Sequence, residues 1–169
     1  VDIITTVSAF AALKNDGSIV TWGASTLGGD SSGVLGQLND IKKVYSNEYA
    51  FAVLKNDGTV VTWGSDTGGG DSSDVLTPLV GVKAIYAAKE AFAALMTDGT
   101  VAAWGNEFGG GDASAVQSQL TDVQEVYATT NGFAALKTDG SLVSWGGDLY
   151  GSTFVKNLSQ VKSVYASED

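Results

Sequence analysis

Three aspartates occur in nearly the same setting: Asp30, Asp71 and Asp112 each follow a Gly-Gly pair and precede Ser-Ser or Ala-Ser. Loops of this kind offer carboxylate, hydroxyl and glycine carbonyl oxygens, the ligand type of a hard cation such as calcium. Each loop supplies one fixed carboxylate, and Thr153 stands where the fourth would be, whereas calcium takes about six to eight oxygens. The competing role is structural, with each aspartate capping the next segment through backbone N–H groups and the glycines adopting positive φ. Calcium at Asp30, Asp71 and Asp112 is the one cofactor the residues bring into question.

Other chemistries are narrower still. The chain has no Cys, His or Arg, so thiolate and imidazole ligands, thiol nucleophiles, imidazole bases and arginine clamps on phosphate all drop out. Asp16-Gly17, Asp57-Gly58, Asp98-Gly99 and Asp139-Gly140 lie between apolar runs and read as hairpin turns. An acid pair for glycoside hydrolysis would stand out from the repeats, and these acids recur. No catalytic residue is expected, and the chain reads as a non-enzyme. Glu48, Glu90, Glu107, Glu125 and Asp66 read as scattered surface charges. With 9 Lys against 19 acids the net charge is −10, which repels nucleic acid and anionic membrane surfaces. No apolar run approaches the length of a membrane span. The missing cysteines leave the redox compartment open.

The elements that carry these residues follow from a period. Trp22, Trp63, Trp104 and Trp145 are spaced 41 apart and each precedes glycine; Phe10, Phe51, Phe92 and Phe133 keep the same step, as do the Asp-Gly pairs. Short apolar runs rich in Val, Phe, Tyr and Trp, bounded by Asp-Gly, predict strands and hairpins. In the run Thr59 to Trp63, Val61 and Trp63 share one face while Val60 and Thr62 share the other, and the preceding runs place small Ala side chains on both faces. A strand apolar on both faces belongs to a sheet covered on both sides. The expected fold is therefore all-β: a β-propeller-like array of four 41-residue repeats, a closed four-bladed ring or part of a larger propeller. A β-solenoid is the alternative. Residues 1–169 form one array without a linker, in units of about 1–40, 41–81, 82–122 and 123–160; residues 161–169 begin a fifth unit or supply a closing strand. The stretch Ser72 to Leu79, which contains the single proline, Pro78, reads either as a helical turn or as an outer strand.

Val82-Lys83-Ala84-Ile85-Tyr86, Ala91-Phe92-Ala93-Ala94-Leu95, Asp98-Gly99-Thr100-Val101 and Trp104-Gly105 together resemble the repeat of the regulator of chromosome condensation family, a seven-bladed propeller. The resemblance covers all four units. It departs where that family carries His-Ser, here Ala-Phe or Gly-Phe, and in a Gly-Gln-Leu-Gly stretch echoed only loosely by Leu35-Gly36-Gln37-Leu38. It implies a propeller blade and no particular activity. The short glycine-and-aspartate form resembles repeats of large bacterial secreted or surface proteins, and the Asp loops distantly resemble the glycine-rich calcium repeats of secreted toxins.

The function expected is that of a non-enzymatic repeat scaffold at the cell surface or outside the cell, mediating binding or assembly. A lectin-like propeller is the alternative. In the lectin reading the tryptophans stack on sugars; in the other they are core. Tyr45, Tyr86, Tyr127 and Tyr165 precede polar turns and either pack or line a groove. Partners expected are a second copy or neighbouring repeats and a protein or glycan ligand, with no nucleic acid and no membrane insertion. Val1-Asp2 at the start suits a mature product or a piece of something longer. The inner-strand pattern occurs five times, from Val1–Ile4 to Val161–Tyr165, against four Phe and four Trp strands. Either the last closes a ring beside Phe10–Lys14, or the array continues.

Overall fold

The computed structural model describes residues 2–73, 75, 77, 79–147, 158, 160, 161 and 164. Each repeat forms three strands: β1 Asp2–Thr5, β2 Ala9–Leu13 and β3 Ile19–Gly23; β4 Ile41–Ser46, β5 Ala50–Lys55 and β6 Val60–Gly64; β7 Val82–Ala87, β8 Ala91–Met96 and β9 Val101–Gly105; β10 Val123–Ala128, β11 Gly132–Lys137 and β12 Leu142–Gly146. Every triplet is its own antiparallel sheet, and among the described residues no sheet takes strands from two repeats. Coils of a β-solenoid would pair laterally, so this topology is that of propeller blades. β1 touches β4, β4 touches β7 and β7 touches β10, which makes these the inner strands. β1 occupies the edge of β2, with Asp2 opposite Leu13 and Thr5 opposite Phe10. Thr153, Tyr165 and most of the fifth inner-strand pattern lie outside the described residues.

Alternation along the strands decides which blade covers which face. Phe51, Val53, Val61 and Trp63 of the second blade pack with Ala9, Ala11 and Ile19 of the first. Ala50, Ala52 and Leu54, from the opposite face of the second blade, pack with Phe92, Ala94 and Trp104 of the third. The third blade meets the fourth in the same way. Alanine on one side leaves room for the large rings on the other. Phe and Trp of each hairpin stand opposite one another and stack, with centroids 5.2 Å apart for Phe51–Trp63 and 5.5 Å for Phe92–Trp104.

The indole N–H fixes the interface. Trp63 donates to the Gly28 carbonyl at 3.0 Å, Trp104 to Gly69 at 3.1 Å and Trp145 to Gly110 at 2.9 Å, in each case in the preceding blade. These rings are 5%, 4% and 3% exposed. Trp22 is 43% exposed, and among the described residues its indole has no such acceptor. Among the described residues no part of the fourth blade covers the first, so the described strands form an open arc. The glycine after each Trp is equally specific: Gly64 has φ 122, and a Cβ there would lie 2.8 Å from the Tyr49 carbonyl oxygen.

Turns repeat as faithfully. Asp57 accepts from the Thr59 N–H at 2.9 Å and its hydroxyl at 2.6 Å, with Gly58 at φ 80, a turn of the type expected for a short hairpin ending in left-handed glycine. The hairpin then ties down the next blade: Val82 N–H donates to Gly58, Val123 to Gly99 and Val161 to Gly140. Before these valines stand Gly81, Asp122 and Gln160, all at positive φ, so the fourth unit, three residues short, is back in step at Gln160. At the outer rim, Ser32–Gln37 and Gln117–Gln119 are 3-10 turns. In the second unit no strand forms among the described residues of Ser72 to Leu79; Pro78 lies outside them.

Trp63→Ala should cost about 3–5 kcal/mol in urea unfolding, as removal of a buried ring from a packed core does. Trp63→Phe should cost about 1–3 kcal/mol, since it keeps much of the ring and strips the Gly28 carbonyl of its donor. A negligible cost for Trp63→Phe would mean the N–H contributes nothing separable.

Candidate binding site

The residues that follow the inner strands converge from all four blades. Thr5 to Val7, Ser46 to Glu48, Ala87 to Lys89 and Ala128 to Thr130 line an open recess of about 490 Å³ at the axial end of the arc. Their positions are related by the 41-residue step, so one register supplies the whole wall. A backbone relay runs along it: Val7 N–H donates to the Glu48 carbonyl at 3.0 Å, Glu48 to Lys89 at 3.1 Å and Lys89 to Thr130 at 2.9 Å. Because the relay holds the peptide groups, side chains at this register are free to differ, and they do. Lys89 Nζ lies 3.8 Å from Glu48 Oε2, with both groups well exposed; such a pair adds little stability in water. It is available for exchange with a ligand's charges.

Behind the recess, polar side chains brace the loops. Thr6 donates from Oγ1 to the Leu27 carbonyl. In the second blade Asn47, buried, donates from Nδ2 to Gly68 at 2.7 Å and accepts from the Tyr49 and Ala50 N–H groups at 2.8 Å. Ala88 fills the corresponding place in the third blade. The chemistry of the recess is therefore mixed: hydroxyls, peptide groups and one ion pair beside the apolar Val7, Ala87, Ala88 and Ala128. Sequence reading placed Glu48 among scattered charges. The available signal was that Glu48 and Lys89 are one repeat apart.

Asp30, Asp71 and Asp112 lie in successive blades and each does the same local work: the carboxylate accepts from the Ser32, Ser73 or Ser114 N–H at 2.8 to 2.9 Å. These N–H groups, followed by the serine hydroxyls, hold all three carboxyls below their ordinary pKa. Asp71 stands with Asp66, Thr67 and Trp104 at a notch of about 340 Å³ between second and third blades. Among the described residues no three acidic side chains come together as a metal-holding group. The hairpin aspartates are lowered too: bonds from the Ser18 hydroxyl and N–H take Asp16 to about 2, and Thr59, Thr100 and Ser141 lower Asp57, Asp98 and Asp139.

The tyrosines divide. Tyr45 and Tyr86 are half-buried, and burial pushes both phenols up, opposed by the backbone of Ile85 and Val126 in the next blade. Tyr127 donates to Glu125 at 2.8 Å, which raises it, and the Val164 backbone acts the other way. Inner-strand tyrosines thus abut the following unit.

By sequence, no family description and no curated relative matches the chain. By structure it is similar to yeast RCC1 (Prp20), solved with Kap60, at TM-score 0.59 and 18% identity over 95% of this chain and 48% of that one. It is also similar to human WBSCR16, at 0.53 and 18% over 95% and 51%. A third similarity is to the CRINKLY WD40 ectodomain of the Arabidopsis thaliana receptor kinase ACR4, at 0.57 and 14% over 99% and 56%. The fold is an RCC1-type β-propeller fold, and the chain spans about half the length of these neighbours.

Two measurements follow. A melt with and without chelator separates the roles of Asp30, Asp71 and Asp112: bound calcium raises the midpoint by linkage, while the turn role predicts an unchanged midpoint. The second concerns acid. A carboxyl lowered in the fold contributes stability above its unfolded pKa and loses it as pH falls through the folded value; for Asp16 that window runs from 3.8 to about 2. Asp16→Ala should therefore lose less of its melting midpoint across this acid range than the parent chain does.

Proposed function

We propose that the chain is a non-enzymatic binding scaffold that presents the axial recess to a protein partner. The observation that carries this reading is the convergence of one register from four blades on a single wall, where a backbone relay repeated from blade to blade supports side chains that differ. Such a wall is a rigid frame for a patterned polar surface, which is what recognition of an extended peptide segment needs. The neighbour solved with Kap60 is a propeller in complex with a protein, which supports protein over small-molecule ligands. The net charge of −10 weighs against nucleic acid. Among the described residues no helix is long and apolar enough to cross a membrane. A secreted or cell-surface setting, in a bacterium, rests on the resemblance of the short glycine-and-aspartate repeat to those of large bacterial secreted proteins.

A lectin built on the tryptophan set would need exposed rings, and three of the four are covered by the preceding blade. The test runs both ligand classes side by side. Peptides selected from a display library against the chain should lose about tenfold or more in affinity on the double substitution Glu48→Ala, Lys89→Ala, the scale of a lost charge-assisted contact. A glycan array followed by tryptophan fluorescence should show no saturable quenching. Saturable quenching by a sugar, or peptide binding indifferent to the two substitutions, overturns the reading.

A further inference from the structure

The outer edge of the third blade departs from the repeat. β3, β6, β9 and β12 are the outermost strands of their blades, and among the described residues each sheet holds three strands, one fewer than a propeller blade typically has. Beside β9 the Met96 N–H donates to the Thr100 carbonyl and the Asn106 N–H to the Glu90 carbonyl, both at 2.9 Å. Alternation along an antiparallel ladder then turns the main-chain groups of Ala102 and Trp104 toward β8, and those of Val101 and Ala103 out to the edge. The Val101 carbonyl accepts from Gln117 Nε2 at 2.9 Å. Among the described residues nothing takes up the outward N–H and carbonyl of Ala103, which is partly exposed.

In the first and second blades hydroxyls tie the outermost strand to the rim turn that follows it. Thr21 Oγ1 lies 3.0 Å from Ser31 Oγ, and Thr62 donates to Ser72 at 3.2 Å. The third blade has Ala103 and Ala113 at these two positions, and neither carries a hydroxyl. A trench opens there instead. A cavity of about 290 Å³ has Ala102 and Ala103 as its floor, Val75 and Thr77 on one wall and Ala113 and Gln117 on the other. It shares Val75, Ala103 and Gly111 with the notch that reaches Trp104, Asp66 and Asp71, so the two are continuous. Asp66, Asp71 and Asp112 stand exposed along it, and no lysine lines either part. The bonds from Ser73 and Ser114 favour the charged forms of Asp71 and Asp112.

We propose that the β9 edge is a strand-addition site for an extended segment of a partner protein that carries lysine or arginine. The incoming segment pairs with both main-chain groups of Ala103 and becomes the fourth strand of the blade. Small side chains at Ala102, Ala103 and Ala113 let its backbone approach the edge, and its basic residues meet Asp66, Asp71 and Asp112. Charge selects this occupant. The charged groups lining the trench are all acidic, in a chain of net charge −10, so acidic segments are repelled and basic ones drawn in. Main-chain pairing supplies affinity and the carboxylates supply specificity. The trench shares no lining residue with the axial recess, and its role stands whether or not a peptide binds there.

Fluorescence anisotropy on the whole chain tests this with a short labelled peptide that alternates lysine and valine, a strand-forming pattern. Saturable binding is expected. It should weaken about tenfold or more, the scale of lost charge-assisted bonds, for the same peptide N-methylated along its main chain, which keeps the charges and loses every ladder donor. Asp66→Asn with Asp71→Asn should weaken it comparably, as should Ala103→Pro, which removes only the edge N–H. The chain carrying Glu48→Ala and Lys89→Ala should bind as the parent does. Hydrogen exchange at the Ala103 amide should slow when the peptide is bound, a readout on the parent chain that depends on no variant folding. Absence of saturable binding, undiminished binding of the N-methylated peptide, equal binding of a glutamate-valine peptide, or unchanged exchange at Ala103 overturns the proposal. Loss of binding in the Glu48→Ala, Lys89→Ala chain would move the peptide to the recess and overturn it too. A two-copy mass by light scattering that Ala103→Pro reduces to one copy would give the edge to a second copy and overturn the basic partner.

Discussion

Each blade is a three-stranded sheet with two apolar faces and no core of its own, so no blade can bury itself. Everything else in the molecule answers to that constraint. A large stacked pair, such as Phe92 with Trp104, must meet a neighbour with small side chains, which Ala50 and Ala52 supply. The indole N–H, once buried, needs an acceptor, and the carbonyl of Gly69 is placed for it by a left-handed glycine with φ 94 that no side chain could occupy without striking the Phe92 ring. Even the glycine-rich loop, which reads chemically as a ligand site, is first of all the lid on the next blade's tryptophan.

This explains how much was legible in the sequence. The Trp-Gly period, the Asp-Gly hairpins and the doubly apolar strands are local signals tied to backbone geometry, and they place the strands and turns correctly. Val61 with Trp63 on one face and Val60 on the other is what alternation requires, and the structure sets them against different blades. The rim was not legible, because short 3-10 turns such as Ser32–Gln37 carry no periodic signature. Nor was the recess. Glu48 and Lys89 look like unrelated surface charges until the blades are set around an axis, since their proximity follows from the repeat step and not from any local pattern.

The aspartates show another side of repetition. Asp30, Asp71 and Asp112 form the most conspicuous motif in the chain, yet each carboxylate is occupied with a backbone N–H two residues on. Repetition advertises whatever a fold needs in every unit, which is usually a turn. Recognition draws on the positions where units differ, such as Ser46, Ala87 and Ala128, or Asn47 and Ala88. In an array of this kind the informative residues are the exceptions within a register.

Because each apolar cluster joins only two consecutive blades, the molecule behaves as a row of elements coupled to nearest neighbours, and its cooperativity is that of a zipper. The second and third blades are each held by two described junctions, the first by one. The first and the fourth, with one described junction apiece, open at a free energy below that of global unfolding. Amide protection graded along the chain is built into this arrangement, with the middle strands β5 and β8, covered on both faces, the last to exchange.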